Sequence, residues 1–267
     1  MFEPLYVAAT GMNVFQDEMV DITNNLANAR TVGFKRGRTE KESLFTIERT
    51  FQTELRDQML KEGVTPAYGP VEYGTGVRVA ATPKDFSQGT IEVTSNPLDL
   101  AIQGDGFFQI KMTDGTIAYS RAGNFHIDNE GNIVDPNGHK MEPPIAVPQG
   151  TTKIVIKQDG TVLASINNSI ETQDIGQLTL AKFLNPSGLK SLGQNIYAST
   201  PASGEPITGV ANTEGFGYIS QYALEMSNVD VISEMMRMVM IQRVFETVSK
   251  AVQSYDGMLS SIDRMKQ

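Results

Sequence analysis

Glycine and proline are unevenly distributed along this chain, and their positions limit where long helices can form. All 12 prolines lie between Pro4 and Pro206, and 22 of the 24 glycines lie between Gly33 and Gly217. Proline removes a helix hydrogen bond, and glycine costs about 1 kcal/mol in a helix interior. The sequence therefore predicts long helices at the two ends of the chain and none across most of its middle.

The middle of the chain alternates short apolar runs with turn dipeptides that end in glycine. Such dipeptides supply the positive φ angles of tight hairpin turns. They occur at Asp114-Gly115, Glu130-Gly131, Asn137-Gly138 and Asp159-Gly160. The candidate strands are VRVAA (77–81), TIEVT (90–94), FFQI (107–110), KIVI (153–156), QLTLAKF (177–183) and YISQYAL (218–224). Their spacing predicts an antiparallel sandwich or barrel rather than βαβ units, which need amphipathic helices between strands.

Both ends of the chain carry apolar residues at the alternating three- and four-residue spacing of a heptad seam. The first seam consists of Leu5, Ala8, Met12, Phe15, Met19, Ile22, Leu26 and Ala29. The second seam consists of Met238, Ile241, Phe245, Val248, Val252, Tyr255, Leu259 and Ile262. An isolated helix would expose such a stripe, so each helix needs a partner. The two seams have similar lengths, which predicts that the ends pair with each other as an assembly seam.

These patterns together predict an α+β fold with an antiparallel all-β domain inserted between two paired, coiled-coil-like helices. Residues 1–34 are expected to hold the N-terminal helix of an inner helical domain, and residues 35–76 an extended connector. Residues 77–224 are expected to form a β-rich outer domain. Residues 225–267 are expected to supply the C-terminal helix of the inner domain.

The C-terminal helix carries more apolar residues than its seam requires. Those off the seam are Met226, Met235, Met236, Val239, Met240, Val244 and Ala251. In a monomer so wide an apolar face would be an exposed patch of the kind that marks an interaction site. The alternative is a buried core helix in a compact two-domain protein. Ser227 or Asn228 is the predicted N-cap of this helix.

Few residues offer the chemistry of catalysis or metal binding. The chain has no cysteine, which excludes disulfides, thiolate catalysis and Cys-ligated metals. The two histidines, His126 and His139, have no third ligand at a helical spacing. Gly104-Asp105-Gly106 precedes a predicted strand rather than a helix, so it is interpreted as a tight turn and not a phosphate loop. We expect no catalytic residue, no metal, no cofactor and no enzymatic activity.

Charge and hydropathy limit the partners of the chain. The formal net charge is −9 and the pI is about 4.8, which argues against nucleic acid as a partner. No apolar run reaches the roughly 18 residues of a membrane span, so we expect no membrane insertion. The N-terminal sequence MFEPLYVAATGM has no basic region. It is therefore not expected to act as a cleavable signal peptide.

Four segments of the chain contain distinctive motifs. NNLANARTVGFKRGR (24–38), through Asn24, Asn25, Leu26, Ala27, Asn28, Gly33 and Phe34, resembles the N-terminal signature of the flagellar basal-body rod and hook proteins. GTGVRVAATPKDFSQGTIEVTSNPLDLAIQGDGFFQI (74–110) and YSRAGNFHIDNEGNIVDPNGHKM (119–141) are similar to their β-domain motifs. EMSNVDVISEMMRMVMIQRVFETVSKAVQSYDGMLSSI (225–262) resembles their terminal helix. The length of the chain and its segment QRVFETVSKAVQ are most similar to those of the distal rod members of this family.

The resemblance implies a structural subunit of the rod, the drive shaft that crosses the periplasm and links the flagellar motor to the hook. The implied partners are further copies of the chain in a helical homopolymer, other rod, hook and surrounding ring proteins, and the flagellar type III export apparatus. A proximal rod or hook-type subunit of the same family is an alternative. A different class of function is an extracytoplasmic β-domain enzyme or ligand-binding protein with its site in the turns between residues 104 and 139.

Overall fold

Residues 3–49, 71–166, 172–213 and 215–265 are described by a computed structural model of the chain. The chain divides into two compact units. Unit 1 comprises Met1–Thr23, Arg38–Thr82 and Ile232–Gln267, and unit 2 comprises Asn24–Gly37 and Pro83–Val231. Each unit thus draws on segments that are far apart in the sequence.

Unit 1 contains most of the two long helices and four short strands. The helices are α1 (Glu3–Ala27) and α2 (Val231–Met265). The strands are β1 (Glu40–Ser43), β2 (Thr46–Arg49), β3 (Val71–Gly74) and β4 (Val77–Ala81). β1 pairs with β4 and β2 pairs with β3, both antiparallel. The helices predicted at the two ends are confirmed. The strands β1, β2 and β3 lie within the predicted connector, whose residues 50–70 lie outside the described residues.

Unit 2 consists mainly of short antiparallel strands. They are β5 (Ile91–Val93), β6 (Leu100–Gln103), β7 (Phe107–Lys111), β8 (Ile117–Ser120), β9 (His126–Ile127), β10 (Ile133–Val134), β11 (Lys140–Met141), β12 (Thr151–Ile156), β13 (Thr161–Ile166), β14 (Thr172–Gln177), β15 (Thr179–Lys182), β16 (Lys190–Gly193), β17 (Ile196–Ala198), β18 (Ile207–Val210), β19 (Tyr218–Gln221) and β20 (Ala223–Glu225). A 3-10 turn spans Pro186–Gly188. Strands and helices in these positions confirm the α+β class.

The strands of unit 2 pair in several sheets. Within the described residues the largest has nine strands, in the order β16-β17-β8-β7-β11-β10-β9, with β15 also beside β7 and β18 beyond β15. β12, β13 and β14 form a second sheet, while β6 pairs with β19 and β5 with β20. Each pairing is antiparallel, as the turn dipeptides predict.

Local backbone geometry explains where the predicted turns are correct and where one predicted strand is not. Gly115, Gly131, Gly138 and Gly160 have φ angles between 83° and 87°. The sequence predicts a single strand over YISQYAL, but Tyr222 interrupts it with a φ of 58°. Because of this break, β19 joins β6 while β20 joins β5. A positive φ is uncommon for a residue other than glycine, and no pattern in the sequence predicts one at Tyr222.

The predicted N-cap of α2 is wrong, because the helix begins beyond both candidates, and the Ser227 hydroxyl instead accepts the Val229 N–H at 3.3 Å. The helix begins at Val231, after Asp230. The side-chain oxygen of Asn228 accepts the Arg36 N–H at 2.9 Å, and its amide nitrogen donates to the carbonyl of Asp85 at 2.9 Å. Asn228 therefore bridges loop backbone instead of capping the helix.

The interior of unit 2 contains two apolar clusters. The larger contains Leu98, Leu100, Ile102, Phe108, Phe125, Ile133, Met141, Ile145, Val147, Ile154, Ile156, Val162, Leu178, Leu180, Ala211 and Ile219. The smaller contains Phe107, Tyr119, Ala181, Phe183, Leu189 and Tyr197, with Phe86 packed against it. Tyr197 is 2% exposed and packs edge-on against Phe86, and this burial raises its pKa to about 12.

A fully buried ion cluster holds distant segments of unit 2 together. Glu225 accepts from Lys35 Nζ at 2.6 Å through one carboxylate oxygen and from Arg121 at 3.2 Å through the other. Lys35 and Glu225 are 0% exposed and Arg121 is 4% exposed. Lys35 Nζ also donates to the Ser87 carbonyl at 2.7 Å, and the Gly89 N–H donates to Glu225 at 3.0 Å. Burial lowers the pKa of Lys35 and the Glu225 carboxylate opposes this effect; Glu225 is the anion that both cations contact.

Glu225→Gln should destabilise unit 2 strongly, because it leaves two buried cations without their anion. Breaking a buried ion pair in this way costs about 3–5 kcal/mol in the free energy of unfolding. Urea unfolding of the full chain, followed by circular dichroism, measures the loss. Asp105→Asn is the control, since Asp105 is an exposed partner of Lys182 and such pairs contribute about 0–1 kcal/mol. Equal losses in the two variants would contradict the assigned role of Glu225.

Tyr197 predicts a specific loss of stability at alkaline pH. An unfolded tyrosine has a pKa of about 10, whereas Tyr197 in the folded chain has a pKa of about 12. The contribution of buried, neutral Tyr197 to the free energy of unfolding is complete below pH 10. It declines as the pH rises toward 12, because the unfolded chain releases the tyrosine proton first. At pH 11.5 Tyr197→Phe should therefore recover about 2 kcal/mol relative to its effect at pH 9. If Tyr197→Phe changed the midpoint of urea unfolding by the same amount at pH 9 and at pH 11.5, the result would contradict this prediction.

Candidate assembly surface

The predicted seam of α1 lies on a partly covered side of the helix. Ile22 is 1% exposed, and the other described seam positions within α1 are half-buried, namely Leu5, Ala8, Met12, Phe15, Met19 and Leu26. Val14 and Glu18 are more deeply buried than most of the seam. Ala29 lies beyond the end of the helix at Ala27. The inward face of α1 is therefore rotated away from the seam and includes a carboxylate.

Glu18 is the centre of an ion network within unit 1. One of its oxygens is paired with Lys41 of β1, and the other accepts from Arg237 of α2 at 3.1 Å. Arg237 also contacts Glu234 at 3.4 Å. Lys41 lies over the Phe15 ring, with its Nζ 5.1 Å from the ring centroid. This network links α1, β1 and α2.

The residues of this network were not among those predicted from the sequence, although a signal exists. The sequence of α1 contains four acidic residues, Glu3, Asp17, Glu18 and Asp21, and no Lys or Arg. Its carboxylates therefore cannot find a basic partner one turn away on the same helix. An inward-facing acidic side chain on such a helix must take its cation from another segment, as Glu18 does.

The predicted seam of α2 also faces inward. Ile241 is 6% exposed, and Met238, Phe245, Val248, Val252, Tyr255 and Leu259 are half-buried. The side chain of Ile262 lies outside the described residues. The seam is thus already partly covered within a single chain.

The opposite face of α2 is apolar and open. Ile232, Met235, Met236, Val239 and Met240 are between 48% and 69% exposed. Met235, Met236, Val239, Met240, Arg243 and Val244 line a shallow groove of about 490 Å³, which we call the methionine groove. Of the two alternatives left open by the sequence, this exposure favours an interaction surface over a buried core helix.

The motif residues at the end of α1 form a structural joint in unit 2. Asn25 is 1% exposed, and its side chain exchanges two hydrogen bonds with the backbone of Gly37, each 2.9 Å long. The side chain of Asn28 donates to the carbonyl and to the side-chain oxygen of Asn24, both at 2.9 Å. These contacts stabilise the end of the helix and the turn that follows it. Leu26 and Ala27 continue the helix.

Gly33 and Phe34 complete the joint. Gly33 has a φ of 68°, and a Cβ at this position would lie 2.4 Å from the backbone nitrogen of Ala122. Its N–H donates to the carbonyl of Glu225 at 2.8 Å. Phe34 is buried, with Lys84 Nζ 5.1 Å from its ring centroid. The tight approach requires glycine, which explains this part of the motif physically.

Two of the turns between residues 104 and 139 use their carboxylates internally. Asp135 accepts the N–H groups of Asn137 and His139, and its other oxygen lies 3.0 Å from His139 Nδ1. The Thr116 hydroxyl and N–H hold the pKa of Asp114 below its ordinary value. These acids close their own hairpins, which is the role expected of aspartate in tight turns.

Two further results concern ligands and membranes. In the part of the chain that the structure describes, no group of three or more His, Asp or Glu side chains is arranged to hold a metal ion. Neither of the helices in this part is sufficiently apolar over its length to span a membrane.

Three family descriptions match the chain in order along its length. Residues 5–35 match the flagella basal body rod protein family, and residues 101–164 match the D1 domain of the flagellar hook protein FlgE/F/G. Residues 220–265 match the C-terminal part of the flagellar basal body rod FlgEFG proteins. Two of these matches cover the helices, and the third covers much of unit 2.

Individual relatives are similar over the full length. The flagellar basal-body rod protein FlgG of Borreliella burgdorferi is 38% identical over 271 residues, which cover all of both chains. FlgG of Agrobacterium fabrum is 40% identical over 97% of this chain and 98% of the relative. FlgG of Bacillus subtilis is 32% identical over all of both chains. With identity of this level across both helices and the β-rich unit, the chain belongs to the flagellar basal-body rod protein family, FlgG type, and is a structural subunit of the rod.

Proposed function

We propose that the chain polymerises through its two terminal helices into the distal part of the flagellar rod. The observation that carries the proposal is the open apolar face of α2, on the side opposite a seam that is already half-buried. A helix with two apolar faces can pack within its own chain through one and against another chain through the other. Long filaments need contacts of the second kind.

The proposal extends to the organisation of the subunit. The helices α1 and α2, within residues 1–34 and 225–267, would form an inner domain in which the two seams pair in a coiled-coil-like manner. Residues 77–224 would form the outer β-rich domain, and residues 35–76 the connector. Support comes from the Glu18–Arg237 ion pair, which joins α1 to α2.

The expected partners follow from this assembly. They are further copies of the chain, other rod and hook subunits, the ring proteins that surround the rod, and the flagellar type III export apparatus, which would deliver the chain to the periplasm. The role is mechanical, so we infer that the chain acts without catalysis and without a cofactor. Turn carboxylates that are engaged in their own hairpins support this inference over a ligand site in residues 104–139.

Ile241→Asp should abolish rod formation and motility while unit 2 stays folded. Ile241 is 6% exposed on the inward face of α2, and an unpaired carboxylate there costs several kcal/mol. The penalty recurs in every copy along the polymer. Unit 2 contains its own apolar clusters, so its unfolding transition should be kept. Electron microscopy of isolated basal bodies, with a motility assay, measures the outcome.

Gln253→Asp is the matched control, because it adds the same charge at an exposed position of α2. It should leave rods and motility nearly unchanged. Normal rods built from the Ile241→Asp chain would show that assembly does not depend on the terminal helices, and the proposal would then be rejected.

A further inference from the structure

A second stripe on α1 is exposed and free of charge. It consists of Tyr6, Ala9, Asn13, Gln16, Val20, Thr23 and Ala27, which follow the same three- and four-residue spacing as the seam. All seven side chains are exposed; Tyr6 is 61% and Val20 68% exposed. Exposed helix faces usually carry charged residues, so an uncharged stripe of this length is suited to contact with another protein surface.

Asp17 lies beside this stripe and differs from the neighbouring carboxylates of α1. Glu18 is bound by Lys41 and Arg237, and Asp21 accepts a hydrogen bond from Thr39. The Asp17 carboxylate is exposed and forms no ion pair with another described residue. On a helix whose sequence contains no Lys or Arg, it is an anion whose counter-charge must come from elsewhere.

The methionine groove of α2 presents the complementary surface. Arg243 lies along its line, one turn after Val239, and is exposed. Within the described residues its guanidinium forms no ion pair. The stripe on α1 and the groove on α2 are both exposed in the same chain, so the fold of the subunit does not bring them together.

We propose that the methionine groove binds the uncharged stripe of α1 from a second copy of this chain, with Arg243 facing Asp17 of that copy. The inference rests on the proposed function, because it specifies the faces through which the helices assemble. Methionine side chains adapt to the surface they meet, and a desolvated Arg–carboxylate pair would fix the register. Two different faces of one chain make a heterologous contact, which extends as an open helical polymer where its rotation does not close a ring.

The absence of cysteine from the sequence permits a direct test by disulfide crosslinking. A strain would produce the full chain with Asp17→Cys and Arg243→Cys as its sole copy, and isolated basal bodies would be oxidised and analysed on a non-reducing gel. Because each copy contacts two neighbours head to tail, the expected product is a ladder of dimers, trimers and larger species. Each single-cysteine variant should remain monomeric.

A matched pair of cysteine substitutions tests whether the crosslink is specific to the position of Arg243. Asp17→Cys combined with Gln253→Cys places the second thiol about 15 Å further along α2, beyond the reach of a disulfide. It should give no ladder. Motile cells whose basal bodies give no ladder from the first pair, or equal ladders from both pairs, would overturn the docking while leaving the rod function intact. If the unsubstituted chain is absent from isolated rods, the proposed function fails as well.

Charge reversal provides a second measurement that does not depend on introduced cysteines. Asp17→Arg and Arg243→Asp should each reduce the yield of rods by at least about tenfold, because each places like charges in contact. The double variant should restore most of that yield. Normal rods from the single variants, or no recovery in the double variant, would overturn the pairing of these two residues.

Discussion

Much of unit 2 depends on the ion pairs that the buried carboxylate of Glu225 forms. Glu225 lies six residues before α2, and it neutralises Lys35, which lies eight residues after α1, together with Arg121 from the end of β8. Three segments separated by up to 190 residues are thus tied to one buried anion. Two cations around it make the cluster intolerant of its loss. The segments that follow α1 and precede α2 are therefore fixed parts of unit 2.

The helices of unit 1 combine apolar and ionic contacts. Glu18 gives α1 a position relative to β1 and α2 that apolar side chains alone do not specify, because its oxygens need cations at defined distances. Asp17, another of the four acidic residues of α1, is exposed. A chain that is to polymerise benefits from both properties, since the inward contacts fix the helices and the outward faces remain open to other copies.

The positions of proline and glycine were sufficient to predict the two helices, and the turn dipeptides that end in glycine were sufficient to predict antiparallel strands. Both predictions follow from local backbone preferences. Tyr222 could not be predicted, since a positive φ is uncommon for a tyrosine and no local preference favours it. The burial of Lys35 and Glu18 depends equally on distant partners. Periodicity identified apolar stripes on α2, but only the exposed fractions of Ile241 and Met240 distinguish the inward face from the open one.

Electron cryomicroscopy of native rods, with helical reconstruction, tests the central claim most directly. The claim is that terminal helices, and not the β-rich unit, make the principal contacts between copies. We expect α1 and α2 at the centre of the rod, with the methionine groove covered by α1 of another copy and Arg243 beside its Asp17. A rod in which β5 to β20 supply the contacts between copies, with the methionine groove open to solvent, would contradict the account.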